Sequence, residues 1–433
     1  MTPISPTRPA ASRYAVLALL SLIYLLHSVD RQVIGVVMEP LKHEFGVSDK
    51  MLGLLGGLAY AFAFAIACLP IGWLIDRFNR VRLLAALLTA WSGLTVLCGF
   101  ASGYWVLLLA RIGVGAAEAG AAPDIISVIA DLFSARQRSF AIGLCYTCAA
   151  LGVSLSFLVG SAVAAAHGWR SAFWLAGGPG LVLAALLAIF VREPRRGSTE
   201  ADDGAETEDV PSLAQATTYV FRTPGLVHLT SAISLSAFVL TTLWVWTTSF
   251  MIRYHGLSLA QAGRLIAFAA LFQAAGSWLG GVTAERAAGR SVSAFGIVSA
   301  GSALAALPLG VGLTLADNVT ASIACLCGMA FFSGAWTGPA FGLAMGLSKP
   351  RVRGVVGSFI QLFVNLVGAG VGPFVAGLLS DTLGGGLRSA LTICFTVNLW
   401  AAFHYVAAAR HAKIAFETNA DLTPSDRSLA TAH

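Results

Sequence analysis

Charge is what this sequence has least of. Asp, Glu, Lys and Arg make up 11% of its 433 residues, less than half the roughly 25% of soluble chains. Hydrophobic residues reach 57%, more than the core of a water-soluble enzyme can hide, so the chain belongs in a bilayer. A basic stripe is also missing. The net charge of +6 comes from residues scattered among short connectors, which excludes a nucleic-acid footprint. The seven cysteines, an odd number, lie inside apolar stretches and imply no disulfide framework. Cys145-x-x-Cys148, in mid-span, reads as packing rather than as a redox pair. No nucleotide-binding glycine loop, metal-spaced histidine cluster or nucleophile motif occurs. That argues against an enzyme, against ATP-driven pumping and against any cofactor or metal.

What the sequence does have is apolar length. About 20 such residues cross the hydrocarbon, and twelve stretches qualify: approximately 14–38, 51–75, 82–102, 105–131, 139–166, 170–191, 224–252, 258–283, 291–314, 319–347, 352–380 and 388–410. The expected fold is all-α, twelve transmembrane helices in two pseudo-symmetric six-helix halves. The first stretch is too long for a signal peptide, carries Asp30-Arg31 and lacks a cleavage pattern. Placing both termini in the cytoplasm puts most of the 27 Lys and Arg there, as the positive-inside rule requires. The chain divides into halves at 1–191 and 224–413, a polar linker over 192–223 and a tail, 414–433, that reads as disordered. Residues 214–222 fit a short interface helix and a plain linker equally well.

The halves echo each other. Gly72, Asp76 and Arg77, with Arg80 beyond, recur 209 residues later as Gly281, Glu285 and Arg286, with Arg290 beyond. Arg136-x-Arg138 likewise matches Arg351-x-Arg353. Parallel repeats about an axis along the membrane normal are a secondary-transporter arrangement. Glycine permits close helix approach, and each acid is suited to a helix amino terminus. Asp76 would meet the start of span eleven and Glu285 the start of span five, latching the cytoplasmic side while the outer side is open; the bland reading is that the arginines only set topology.

Ionisable residues inside spans carry the functional signal, because each costs roughly 2.5–3.5 kcal/mol at mid-membrane. His27, Asp30 and Arg31 share one face of span one. Arg111 and Glu118 lie two turns apart on span four, roughly 10 Å along its axis, with Asp124 farther down. Asp30 and Arg111 fall at one depth and would neutralise each other, leaving Glu118 without an evident basic partner. Such a carboxyl can take up and release a proton near neutral pH, as a proton-coupled carrier must. His27 and Asp124 suit structural and functional roles equally, and His228 and His404 read as satisfied or interfacial. The second half offers Gln273, Gln361 and Asn365 and the aromatics Trp244, Trp246, Phe331 and Trp336. Charge on one wall and apolar surface on the other suit an amphipathic anion, unless those aromatics simply face lipid.

Gly72-x-x-x-Asp76-Arg77-x-x-Arg80 and its echo at Gly281 resemble the major facilitator superfamily loop signature. More narrowly, Asp30-Arg31, Asp76-Arg77-Phe78-Asn79-Arg80, Arg111-Ile-Gly-Val-Gly115-x-x-Glu118-Ala119, Asp131-Leu-Phe with Gln137-Arg138-Ser139, and Arg192-Glu-Pro-x-Arg-Gly197 resemble the spinster family of lipid carriers. The resemblance implies export of sphingosine-1-phosphate or lysophospholipids, with Asp30, Arg111 and Glu118 in substrate binding and proton coupling. The expectation is a monomeric, proton-coupled carrier in the inner membrane of a bacterium. Its partners are a lysolipid or other amphipathic anion, protons and the bilayer, with no nucleic acid. Asp30, Arg111, Glu118, His27, Arg31, Trp336 and Asn365 would bind substrate, and Asp30 and Glu118 the proton. Alternatives are a multidrug or organic-anion carrier and a non-transporting sensor.

Overall fold

The computed structural model describes residues 12–196, 213–289, 291–348 and 352–421. Within them twelve helices are long and apolar enough to cross a membrane: Arg13–Phe45, Asp49–Cys68, Arg80–Cys98, Tyr104–Leu132, Gln137–His167, Trp169–Phe190, Pro224–His255, Leu259–Ala288, Ser293–Leu315, Val319–Leu347, Val355–Thr382 and Gly386–Ile414. These are spans one to twelve below. Every regular element among the described residues is helical.

Local chemistry sets the ends. Ser12, Ser48, Asn79 and Asn318 each accept a hydrogen bond from a backbone N–H of the first turn that follows, satisfying a donor that the helix leaves orphaned. Span one passes Pro40 and stops only at Gly46, whose φ of 62° places it in the left-handed region open to glycine. It therefore runs well past the end near residue 38 expected from hydropathy. Residues Leu213–Arg222 form a helix, which resolves the two readings of that stretch. It docks on its neighbours: Tyr219 donates to the Leu347 carbonyl at 3.3 Å, and the Phe221 ring lies 5.9 Å from Phe359. The last helix continues to Asp421, so the expected disordered tail begins as helix. Linker residues 197–212, Arg290, Arg351 and residues 422–433 lie outside the described set.

Contact clustering gives two compact units that do not follow the linear boundary at the linker. Among the described residues, one comprises 12–196 together with 243–271 and 373–387; the other comprises 213–242, 272–289, 291–348, 352–372 and 388–421. The first buries Leu20, Ile23, Trp91, Phe133 and Leu187 in its core, the second Ile233, Leu343, Ile360 and Tyr405. The repeat extends to backbone irregularity. Span four breaks between Glu118 and Ala121, and span ten breaks at Trp336. Spans five and eleven each hold a π-helical stretch, Ser156–Gly160 and Val364–Val371, and such bulges concentrate at functional sites.

In the first unit, spans three and six pack backbone to backbone. A Cβ at Gly177 would stand 2.5 Å from the Ser92 carbonyl oxygen, whereas at Gly178 it would meet nothing within 4 Å. Gly177→Ala should therefore lower stability by about 1–3 kcal/mol, an overpacking cost, and Gly178→Ala should not; melting temperatures of the two purified variants compare them directly.

Candidate functional site

Span four carries the centre of the site. Its segment Tyr104–Glu118 ends at the break, so Glu118 sits on a final turn, with Arg111 two turns earlier on the same face. Gly115, one turn before Glu118, has a backbone role. A Cβ there would stand 2.5 Å from the Tyr60 carbonyl oxygen, so its absence lets span two press against span four and delivers Tyr60 to the acid.

Asp30, Arg111, Glu118 and His27 are all buried, and the structure brings them together with Arg31. Arg111 Nη1 donates to Asp30 Oδ1 at 2.8 Å, and Thr95 donates to the other Asp30 oxygen. Tyr60 donates its hydroxyl to Glu118 Oε2, and His27 Nε2 lies 3.6 Å from the same oxygen. The guanidinium carbons of Arg31 and Arg111 each lie 5.4 Å from the centroid of the Tyr60 ring, within cation–π range. His27 stacks on Tyr24 at 5.6 Å and meets Trp91 edge-on at 6.2 Å. Among the described residues three buried polar atoms here have no hydrogen-bond partner: Glu118 Oε1, Arg111 Nε and His27 Nε2. The acid thus keeps one oxygen in reserve. Among the described residues no cluster of side chains suits a metal ion.

Tyr60 and Thr95 escaped sequence reasoning. Neither is charged, and only the packing that sets Tyr60 of span two on Glu118 of span four and Thr95 of span three on Asp30 of span one shows what they touch. Asp124 is fully buried, and both its carboxyl oxygens lack partners.

The expected second-half wall is arranged differently. Trp244 and Trp246 group with the first unit, where Trp244 lies 5.7 Å from Phe157 and Trp246 donates to the Pro373 carbonyl at 2.9 Å. Trp336 lies in the core of the second unit, 6.5 Å from Tyr405, because the break in span ten turns it inward. Asn365 is buried and donates to the Gln361 carbonyl at 2.9 Å.

The loop motif after span two is also reorganised. Asp76, Arg77, Glu285 and Arg286 are exposed, and Arg77 lies 4.4 Å over the Trp73 ring. An added Cβ at Gly72 or Gly281 meets nothing within 4 Å among the described residues, so close packing does not hold either glycine. Arg80, by contrast, is buried. It pairs with Asp131 at 2.5 Å and Glu193 at 2.7 Å and donates to Ser127. Arg196 caps carbonyls of the same turn, reaching Ile75 at 2.6 Å and Phe78 at 2.9 Å. Three motifs far apart in sequence thereby meet in one knot.

A second knot, unforeseen from the sequence, joins four segments of the first unit. Arg253 donates to both oxygens of Asp49, at 2.6 and 2.8 Å, and to Glu39 at 2.8 Å. Lys42 and Ser380 complete the Asp49 shell at 2.5 and 2.6 Å, and Asp381 accepts from the backbone N–H groups of Asp49 and Lys50.

With this geometry in view, the comparisons with known proteins are decisive. The model of the Major Facilitator Superfamily matches residues 20–373. The chain belongs to that superfamily. It is a multi-pass membrane transporter of spinster-like type and not an enzyme. A bacterial homologue of the human lysosomal transporter spinster, solved in an inward-facing and unoccupied conformation, matches with a TM-score of 0.84 at 26% identity, covering 95% of this chain and 99% of that one. An MFS-type efflux pump of Mycolicibacterium smegmatis is 29% identical, over 86% of this chain and 85% of its own length. Human protein spinster homolog 1 is 31% identical over 58% of this chain, and the zebrafish (Danio rerio) sphingosine-1-phosphate transporter is 32% identical over 46%. This chain spans under half the length of either, 48% and 41%.

Two substitutions separate the site's supports. Gly115→Val should drive span two away and part Tyr60 from Glu118, lowering the melting temperature and any Glu118-dependent proton uptake together. Arg253→Ala strands buried Glu39 and leaves buried Asp49 with Lys42 as its cation, and should cost about 3 kcal/mol, the low end for breaking a buried ion pair. Thermal unfolding of the purified variant, against an Arg253→Lys control, reads that loss.

Proposed function

We propose that this transporter couples the movement of an amphipathic anion, lysolipid-like in form, to protons by alternating access, both termini facing the cytoplasm. Formal charge around Glu118 supports the reading. With Glu118 ionised, two carboxylates face the two guanidinium groups of Arg31 and Arg111, and the cluster is neutral. With Glu118 protonated, the cluster carries one negative charge fewer. An anion then binds better to the protonated site, and by reciprocity a bound anion favours the proton. Asp30 holds the Arg111 fork in place through Nη1, leaving the Nε donor for a headgroup. The free Glu118 oxygen is where the proton would come and go. Asp76 and Glu285 serve as latch acids that hold the cytoplasmic side closed while the outer side is open.

The cargo reading rests on the spinster-like relatives, one of them named as a sphingosine-1-phosphate transporter. The efflux pump of M. smegmatis, matched over most of both chains, favours a second reading as a broader organic-anion or drug exporter. Arginine dependence separates the two, since a cationic drug tolerates loss of Arg111 and an anionic lipid does not.

The test is binding and uptake at several pH values. Affinity for an anionic lysolipid should rise as pH falls. Glu118→Gln should bind it at all pH values alike and lose the response of uptake to an imposed pH gradient; unchanged gradient dependence would sink the coupling role. Arg111→Gln combined with Asp30→Asn, which strands no charge, should weaken anion binding about tenfold or more, about 1.4 kcal/mol per tenfold.

A further inference from the structure

Away from Asp30 and Glu118, the second unit contains a cavity of about 380 Å³. Thr230 and Ser234 of span seven, Phe359 and Phe363 of span eleven and Trp400 and His404 of span twelve line it, and Phe221 of the connector helix borders it. Trp400 is 66% exposed, and Phe403, one turn on, is 61% exposed. On a membrane-spanning helix such rings face acyl chains, so the opening is toward lipid. Along span seven the lining runs from Val227 to Leu235, about 12 Å at 1.5 Å per residue. That nearly fills one leaflet, half of a hydrocarbon core about 30 Å thick. The volume lies at the small end of ligand pockets, roughly 300–1,000 Å³, and suits one flexible chain.

Two further observations specify the occupant. Thr230 and Ser234 are buried to 7% and 4% exposure, and among the described residues their hydroxyl oxygens have no hydrogen-bond partner. Their neighbour Ser231 satisfies itself by donating to the Val227 carbonyl at 3.0 Å; these two do not. Leaving a buried hydroxyl unpaired costs about 1–3 kcal/mol, and an acceptor entering the cavity would remove that cost. The end near the connector helix is basic. His404 Nδ1 lies 2.9 Å from His228 Nδ1, and His228 stacks on His411 at 5.7 Å. Exposed Arg222 follows Phe221, and exposed Arg410 precedes His411.

We propose that this crevice is a binding site for an anionic glycerolipid of the surrounding bilayer, held as a resident rather than carried as cargo. One acyl chain runs along span seven toward Trp400. The ester carbonyls accept from Thr230 and Ser234, and the headgroup meets the imidazole column and Arg222 at the connector-helix end. The site is independent of the Arg111 centre.

The protein is reconstituted in phosphatidylcholine vesicles with either phosphatidylglycerol or phosphatidylcholine brominated along its chains. Quenching is read as the fluorescence difference between wild type and Trp400→Phe. Brominated phosphatidylglycerol should quench Trp400 at about tenfold lower mole fraction than brominated phosphatidylcholine, a preference of about 1.4 kcal/mol. Ser234→Phe, which fills the cavity, should abolish the preference, and Arg222→Gln, on the exposed face, should reduce it without touching the fold. The Arg111→Gln, Asp30→Asn pair should leave it unchanged. Equal quenching by the two lipids in wild type overturns the proposal, as does a preference that survives both Ser234→Phe and Arg222→Gln.

Discussion

A carboxylate surrounded by protein and hydrocarbon must find a counter-charge, hydrogen bonds or a proton. Asp30 has the first two, from Arg111 and Thr95. Glu118 has a phenol and, at 3.6 Å, an imidazole on one oxygen, and no partner on the other among the described residues. That inequality between two acids in one cluster organises the site. One acid anchors the guanidinium, and the other keeps an oxygen without a partner among the described residues, the feature on which the proposed proton coupling rests. Tyr60 links them, because its hydroxyl serves Glu118 while its ring lies between Arg31 and Arg111. The Tyr60 position depends on a missing atom, the Cβ of Gly115.

The remaining charged residues of the first unit mostly tie segments together. Arg80 gathers Asp131 and Glu193, and Arg196 caps the end of the preceding helix. Arg253 does the same work for Glu39 and Asp49. Buried pairs of this kind add little net stability over an apolar replacement, but losing one member is costly. Such knots therefore favour one arrangement of segments over neighbouring ones more than they strengthen the fold as a whole.

Much was legible in advance. Twelve spans followed from hydropathy, because a bilayer admits helices with every backbone group satisfied internally, and span length alone then marks them. The meeting of Asp30 with Arg111 followed from counting residues along spans of opposite direction, since rise per residue is fixed. The parts that failed share a cause. Trp336 was expected on a cavity wall and lies in the core, at a break in span ten that is invisible to hydropathy. Trp244 and Trp246 were assigned to the second half by chain position but pack within the first unit, since contact ignores the linear order. Gly72 and Gly281 repeat in sequence, but no neighbour crowds them.

The sequence by itself determined which residues cross the membrane and which charges are buried there, for both follow from composition within a window of about 20 residues. Tertiary structure alone decided which of those charges are paired and which is left open. Pairing depends on helix rotation and on close approaches of a few ångströms, and those are set by neighbours distant in the chain: Tyr60 through Gly115, Asp49 through Arg253, Glu193 through Arg80.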